Sequence, residues 1–137
     1  MVIDIESEVF THVANALRSQ FPGIFVSGEY VTAPTKFPAV TIIEMDNSLY
    51  ARTKDLEGNE NHSVLMYEVN VYSNLASGKK TQCKSIMALV DNKMQEIGFA
   101  RVGCSPVALP NTDKSIYRMI ARYRAVVDRQ KRIYKII

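Results

Sequence analysis

Apolar residues recur at helical spacing in two stretches of the chain, and strand-like runs fill much of the rest. Between residues 4 and 20, Ile5, Val9, Val13 and Leu17 repeat every four positions, with Ala16 in the same stripe, which predicts a helix. Asp4, Glu6 and Glu8 fall in its first turn, where carboxylates oppose the helix dipole favourably. Phe21-Pro22-Gly23 ends it, because proline disfavours helical backbone at the residue before it. A second helix is predicted over residues 78–97, with Ser77 as its cap. Cys83, Ile86, Met87, Val90, Met94 and Ile97 form its apolar stripe, and Gly98 stands where a left-handed terminating residue is expected.

Residues 24–32 (IFVSGEYVT) read as a strand interrupted by a bulge or bend at Gly28. Residues 39–46 (AVTIIEMD) are rich in β-branched side chains and predict a strand. In 63–74 (SVLMYEVNVYSN), Leu65, Tyr67, Val69 and Val71 point one way and Glu68, Asn70 and Tyr72 the other. Residues 99–109 (FARVGCSPVAL) predict a strand punctuated at Gly103 and Pro106. The longest strand, 115–128, places Tyr117, Met119, Ala121, Tyr123, Ala125 and Val127 on one face. Ile116, Arg118, Ile120, Arg122, Arg124 and Val126 fall on the other. From 47 to 62 the periodicity is lost, giving a polar insert longer than ordinary hairpin loops, either mobile or functional. The order helix, strands, helix, strands predicts an α+β fold, a mostly antiparallel sheet with two helices packed on one face. No repeat or boundary divides it, so residues 1–137 form a single domain.

Composition sets limits on this picture. The chain has 137 residues, of which 47% are apolar and 23% charged, the balance of a globular domain. A domain of this size buries roughly two thirds of its unfolded surface and needs neither metal nor disulfide to fold. No apolar run approaches the ~18 residues of a membrane span. The first ten residues carry three acids and no base, so neither a secretory signal nor a transit peptide is expected, and the chain reads as a soluble intracellular domain. The net charge of +3 is unevenly distributed. Residues 1–68 hold four basic and ten acidic side chains (net −6), and residues 69–137 hold thirteen and four (net +9). Such asymmetry allows three readings: a nucleic-acid surface on the basic half, head-to-tail self-association, or neutralisation of the halves within one domain.

Catalytic signals are weak. Cys83 and Cys104 lack the paired spacing of a zinc site and read as buried, reduced thiols; His12 lies on the first helix and His62 in the polar insert. Ser77-Gly78-Lys79-Lys80-Thr81 sits between a strand and a helix, but lacks the upstream glycine and the Ser or Thr directly after Gly-Lys that a phosphate loop requires. Glu57 and Glu60 read as solvated acids, with no apolar pocket to raise a pKa. The expectation is a non-enzyme without cofactor or metal. The alternate arginines of 116–128 could line a nucleic-acid groove, pair with Glu44 and Glu68 on neighbouring strands, or contact acids of another subunit. RNA-reading sheets expose aromatics, whereas Tyr117 and Tyr123 alternate onto the apolar face.

Three segments, FPAVTIIEMDN, VLMYEVNVYSN and NTDKSIYRMIARYRAVVD, occur in order between the early helix and the C-terminus, with a helix ending in EIGF between the last two. With Phe37-Pro38 entering the strand that ends Glu44-Met45-Asp46-Asn47, this order resembles the tail-terminator and tail-completion proteins of tailed bacteriophages. The resemblance implies an α+β subunit of a homo-oligomeric ring, commonly a hexamer, that caps the tail tube, ends its polymerisation and docks to the head connector. It implies no catalytic residues and a place at the tail–head junction of the virion, with assembly in the host cytoplasm. The partners expected are further copies of the chain, the tail tube protein and the connector protein; no membrane is involved, and nucleic acid is met only as it passes through the lumen. Two segments have no evident place in a monomer core, the insert at 47–62 and the tail at 129–137. The expectation is that one reaches a neighbour or the tube and the other extends the sheet or docks on the adjacent subunit. Candidate interface residues are Arg118, Arg122 and Arg124 on the long strand, Tyr50, Arg52 and Lys54 in the insert, and Arg129, Lys131 and Arg132 in the tail. The alternatives are another head–tail neck protein, or a nucleic-acid-binding accessory protein that uses the basic half.

Overall fold

The computed structural model describes residues 2–31, 34–49, 62–107 and 115–135. Its elements are α1 (Glu6–Gln20), β1 (Phe25–Ser27), β2 (Ala39–Leu49), β3 (His62–Ser73), α2 (Lys79–Glu96), β4 (Ala100–Val107), β5 (Tyr117–Asp128) and β6 (Ile133–Lys135). They build one sheet in the order β1-β2-β3-β5-β4, with β6 pairing the end of β5 beyond β4. Every pairing is antiparallel except β1 with β2. This is the α+β arrangement the pattern predicts. Among the described residues, no helix is long and apolar enough to cross a membrane.

Both helices lie against one face of the sheet. Val9, Val13, Ala14 and Leu17 of α1 and Cys83, Ile86, Met87, Val90 and Met94 of α2 are buried in one core with Leu65, Tyr67, Val69 and Val71 of β3 and Met119, Ala121, Tyr123, Ala125 and Val127 of β5. The α1 stripe is completed by Ala14, while Ala16 is only half-buried. The register aligns the two long strands residue for residue, from His62 opposite Asp128 to Ser73 opposite Tyr117, so their apolar sets coincide on the helix side. Tyr123 donates its hydroxyl to Asp91 of α2 (3.0 Å), which also meets Arg101 of β4 at 3.4 Å, tying helix and sheet edge together.

Several expectations are corrected. The strand expected over 24–32 is confined to Phe25–Ser27, and Gly28 lies in the bend that follows. β2 continues through Leu49 and β3 begins at His62, so the polar insert is shorter than 47–62 at both ends. A β-strand outlasts the apolar pattern here because Asp46, Asn47 and Ser48 have backbone partners on β3, and Asn47 donates its amide to the Ile3 carbonyl (2.7 Å). Ser77 does not cap α2. The N-cap is Gly78, in left-handed conformation (φ 87°), with no side-chain cap bond. At the other end Gly98 (φ 109°) terminates α2 as expected, with Gly98 N–H bonding the Gln95 carbonyl and Phe99 N–H the Met94 carbonyl. A Cβ on Gly98 would come within 2.9 Å of Ile133 Cγ2, so β6 packs directly on this glycine.

The two cysteines differ. Cys83 is fully buried, its sulfur 3.5 Å from the Tyr117 carbonyl oxygen, and burial pushes its thiol up to about 12. Cys104, expected to be buried, is exposed on the edge strand β4. A thiol reagent at neutral pH should therefore label one cysteine per native chain and two after denaturation. Rapid labelling of both in the native state would contradict the placement of Cys83.

Candidate functional site

The sheet face away from the helices carries the arginines of β5. Arg118 donates from Nε and Nη2 to Asn70 Oδ1 (3.0 and 2.7 Å) and lies 5.3 Å from the Tyr72 ring centroid. Arg122 donates from Nε to Glu68 Oε2 at 3.2 Å, and Asn70 donates its amide to the other oxygen of Glu68. Both partners lie on β3: Glu68 stands directly opposite Arg122, and Asn70 is the diagonal neighbour of Arg118. Arg124 stands opposite Met66 on β3 and Ala100 on β4 and makes no ion pair among the described residues. Of the two acids expected to meet these arginines, Glu68 does. Glu44 does not, because it faces the helix side and accepts the Tyr67 hydroxyl at 3.0 Å.

Two bulges shape this face. One inserts Met45 between Glu44 and Asp46 on β2; the other inserts Val102 between Arg101 and Gly103 on β4. An extra residue in a strand is re-aimed relative to its neighbours. Both side chains are about half exposed (51% and 52%), and with Met66, Ile120 and Arg122 they line a groove of about 510 Å³. A face with outward apolar side chains framed by arginines is suited to contact another protein.

The tail contributes β6. Asp128, 4% exposed, holds the β5–β6 turn by accepting from the backbone N–H of Gln130 and of Arg132 (both 2.9 Å), from Arg132 Nε (2.8 Å) and from the Tyr134 hydroxyl (3.1 Å). Burial pushes its carboxyl up, but these donors and the Arg132 charge outweigh it and hold the pKa below the usual value. Lys131 pairs with Glu8 on α1 at 2.7 Å. The structure thus gives Lys131 and Arg132 partners within the chain and places exposed Arg129 in the same turn. Tyr50, Arg52 and Lys54 lie outside the described residues. The six candidates among the described residues do not form one surface: the β5 arginines face the open side of the sheet, and the tail residues sit in the β5–β6 turn, from which Lys131 reaches Glu8 of α1.

A second concavity, of about 530 Å³, opens between α1 and the β1–β2 edge. Phe10, Val26 and Ile42 line its depth, and Asp4, Glu6 and Glu29 lie around it. Burial pushes the neighbouring Glu44 carboxyl up, and the charges of Glu6, Asp4 and Asp46 add to this against the Tyr67 hydrogen bond. Sequence reasoning missed this site, since its acids are far apart in the chain. It also missed the bulges, whose one visible signal was the glycine after Val102. Among the described residues, no group of three or more His, Cys, Asp or Glu side chains is placed to hold a metal ion. No protein-family model matches the chain, and no curated protein matches it.

Proposed function

We propose that this chain is a structural virion subunit of the tail-terminator type, forming a closed ring that caps the tail tube, ends its polymerisation and docks to the head connector. The observation that carries this reading is the one-sided sheet. Helices fill one face, while bulges on β2 and β4 turn apolar side chains outward on the other, beside the β5 arginines. A closed ring needs two different surfaces on each subunit that fit after rotation, and a subunit with distinct faces and uneven charge meets that requirement. The internal partners of Arg118 and Arg122 favour protein contact over phosphate binding, because much of their charge is already engaged.

Native mass measurement of the purified chain tests this, with a closed ring of about six copies expected. Arg124→Glu should weaken the ring while leaving the thermal melt of the subunit unchanged. Arg122→Glu is a poorer probe, since it would set a like charge beside the buried Glu68. Deleting residues 50–60 should leave a folded subunit that fails to cap tubes. A ring that forms but never arrests tube growth would instead indicate another neck protein, and steeply salt-dependent duplex binding a nucleic-acid role.

A further inference from the structure

We infer that the groove between α1 and the β1–β2 edge receives the Leu75–Lys84 end of α2 from a second copy of this chain, joining successive subunits head to tail. The inference rests on the ring reading and names the two surfaces that would build the ring.

The groove has an apolar depth, formed by Phe10, Val26 and Ile42, with Asp4, Glu6 and Glu29 around it. Among the described residues none of these three acids forms an ion pair, in contrast to Glu8, which pairs with Lys131. The start of α2 is its counterpart in both shape and charge. Leu75 is 43% exposed just before the helix, and Lys79, Lys80 and Lys84 follow with no acid until Asp91. None of the three lysines has a carboxylate partner among the described residues, whereas Lys93, further along the helix, pairs with Glu96.

Lys79 and Lys80 also sit in the first turn of α2. Positive charge in a first turn opposes the helix dipole, and α2 has no acid there to offset it. A local rule broken without an internal compensation points to an external one. The two surfaces also occupy different flanks, since the groove lies at the β1–β2 edge while α2 lies over β3, β5 and β4. A surface on one flank and its complement on the other is the geometry of a heterologous, ring-forming contact.

The test uses two full-length variants, checked by circular dichroism and thermal melting. One carries Lys79→Glu, Lys80→Glu and Lys84→Glu. The other carries Glu6→Lys and Glu29→Lys, and keeps Asp4, whose carboxylate accepts the Glu6 N–H. Each should assemble on the order of a hundredfold more weakly than the parent in native mass and sedimentation measurements. Mixed in equal amounts they should assemble again, because each then offers the other a complementary surface. A parent ring that both variants form equally well would overturn the inference and leave the ring reading standing. Open or non-annular oligomers that depend on these charges would support the inference and count against the ring. A parent that stays monomeric at all concentrations removes a second copy as the occupant and overturns the inference. Should either variant fail to fold, Lys→Gln and Glu→Gln versions replace it, with weakening still expected and unchanged assembly again overturning the proposal.

Discussion

Replacing Phe99 by alanine is expected to lower the unfolding free energy by about 3–5 kcal/mol. Phe99 is fully buried and meets Tyr67 edge-on, with ring centroids 5.3 Å apart at 87°. It is also the residue whose N–H closes the end of α2 on the Met94 carbonyl (3.0 Å). Truncation removes the transfer energy of the ring, leaves a cavity between α2 and β3, and deletes an aromatic contact worth roughly 0.5–1.5 kcal/mol. Domains of this size are stable by about 5–15 kcal/mol, so the loss would consume a large fraction of the total. Urea unfolding should show a lower midpoint with an unchanged slope. A loss under about 1 kcal/mol would mean that Phe99 is not at the centre of the core.

Much of this core is visible in the sequence because periodicity records burial directly. The stripes of α2 and β5 and the inward set of β3 follow from spacing alone, since the side chains packed on the core recur at the period of each element. Where the reading failed, long-range pairing had overridden local chemistry. Asp46, Asn47 and Ser48 look like loop residues, yet belong to a strand because β3 runs beside them. Cys104 lies in a strand but at a sheet edge, where alternation does not predict burial. The bulged Met45 and Val102 and the acid-lined groove depend on how separate strands register, which no single segment specifies.

The charge asymmetry is partly resolved within the fold. Glu68 with Arg122 and Glu8 with Lys131 join the acidic half to the basic half, as the internal-neutralisation reading expected. Among the described residues, some of the charges outside ion pairs are grouped, with Asp4, Glu6 and Glu29 around the α1 groove and Lys79, Lys80 and Lys84 at the start of α2. The head-to-tail contact inferred above would use these two groups.

The attachment of β6 should depend on pH through Asp128. The strand is three residues long, pairs only β5 among the described residues and leans on Gly98, so its hold rests heavily on the turn that precedes it. That turn is organised around one carboxylate accepting from two backbone N–H groups, a guanidinium and a phenol. Because the folded form holds Asp128 below its ordinary value of about 3.9, the clasp contributes fully at neutral pH and above the unfolded value. It is lost as the pH falls below about 4 and through the lowered folded value, when the carboxylate gains a proton. The Lys131–Glu8 pair, with Glu8 likewise lowered chiefly by its hydrogen bond from Lys131, weakens in the same direction, though its exposure limits its effect. Asp128→Ala should raise amide exchange across residues 133–135 by roughly tenfold or more at neutral pH, with little change in the centre of β3. Asp128→Asn should flatten the acid dependence of that exchange, since an amide has no proton to gain in this range. If the asparagine variant keeps the acid dependence of the parent, another group controls the β6 edge and the clasp assigned to Asp128 is wrong.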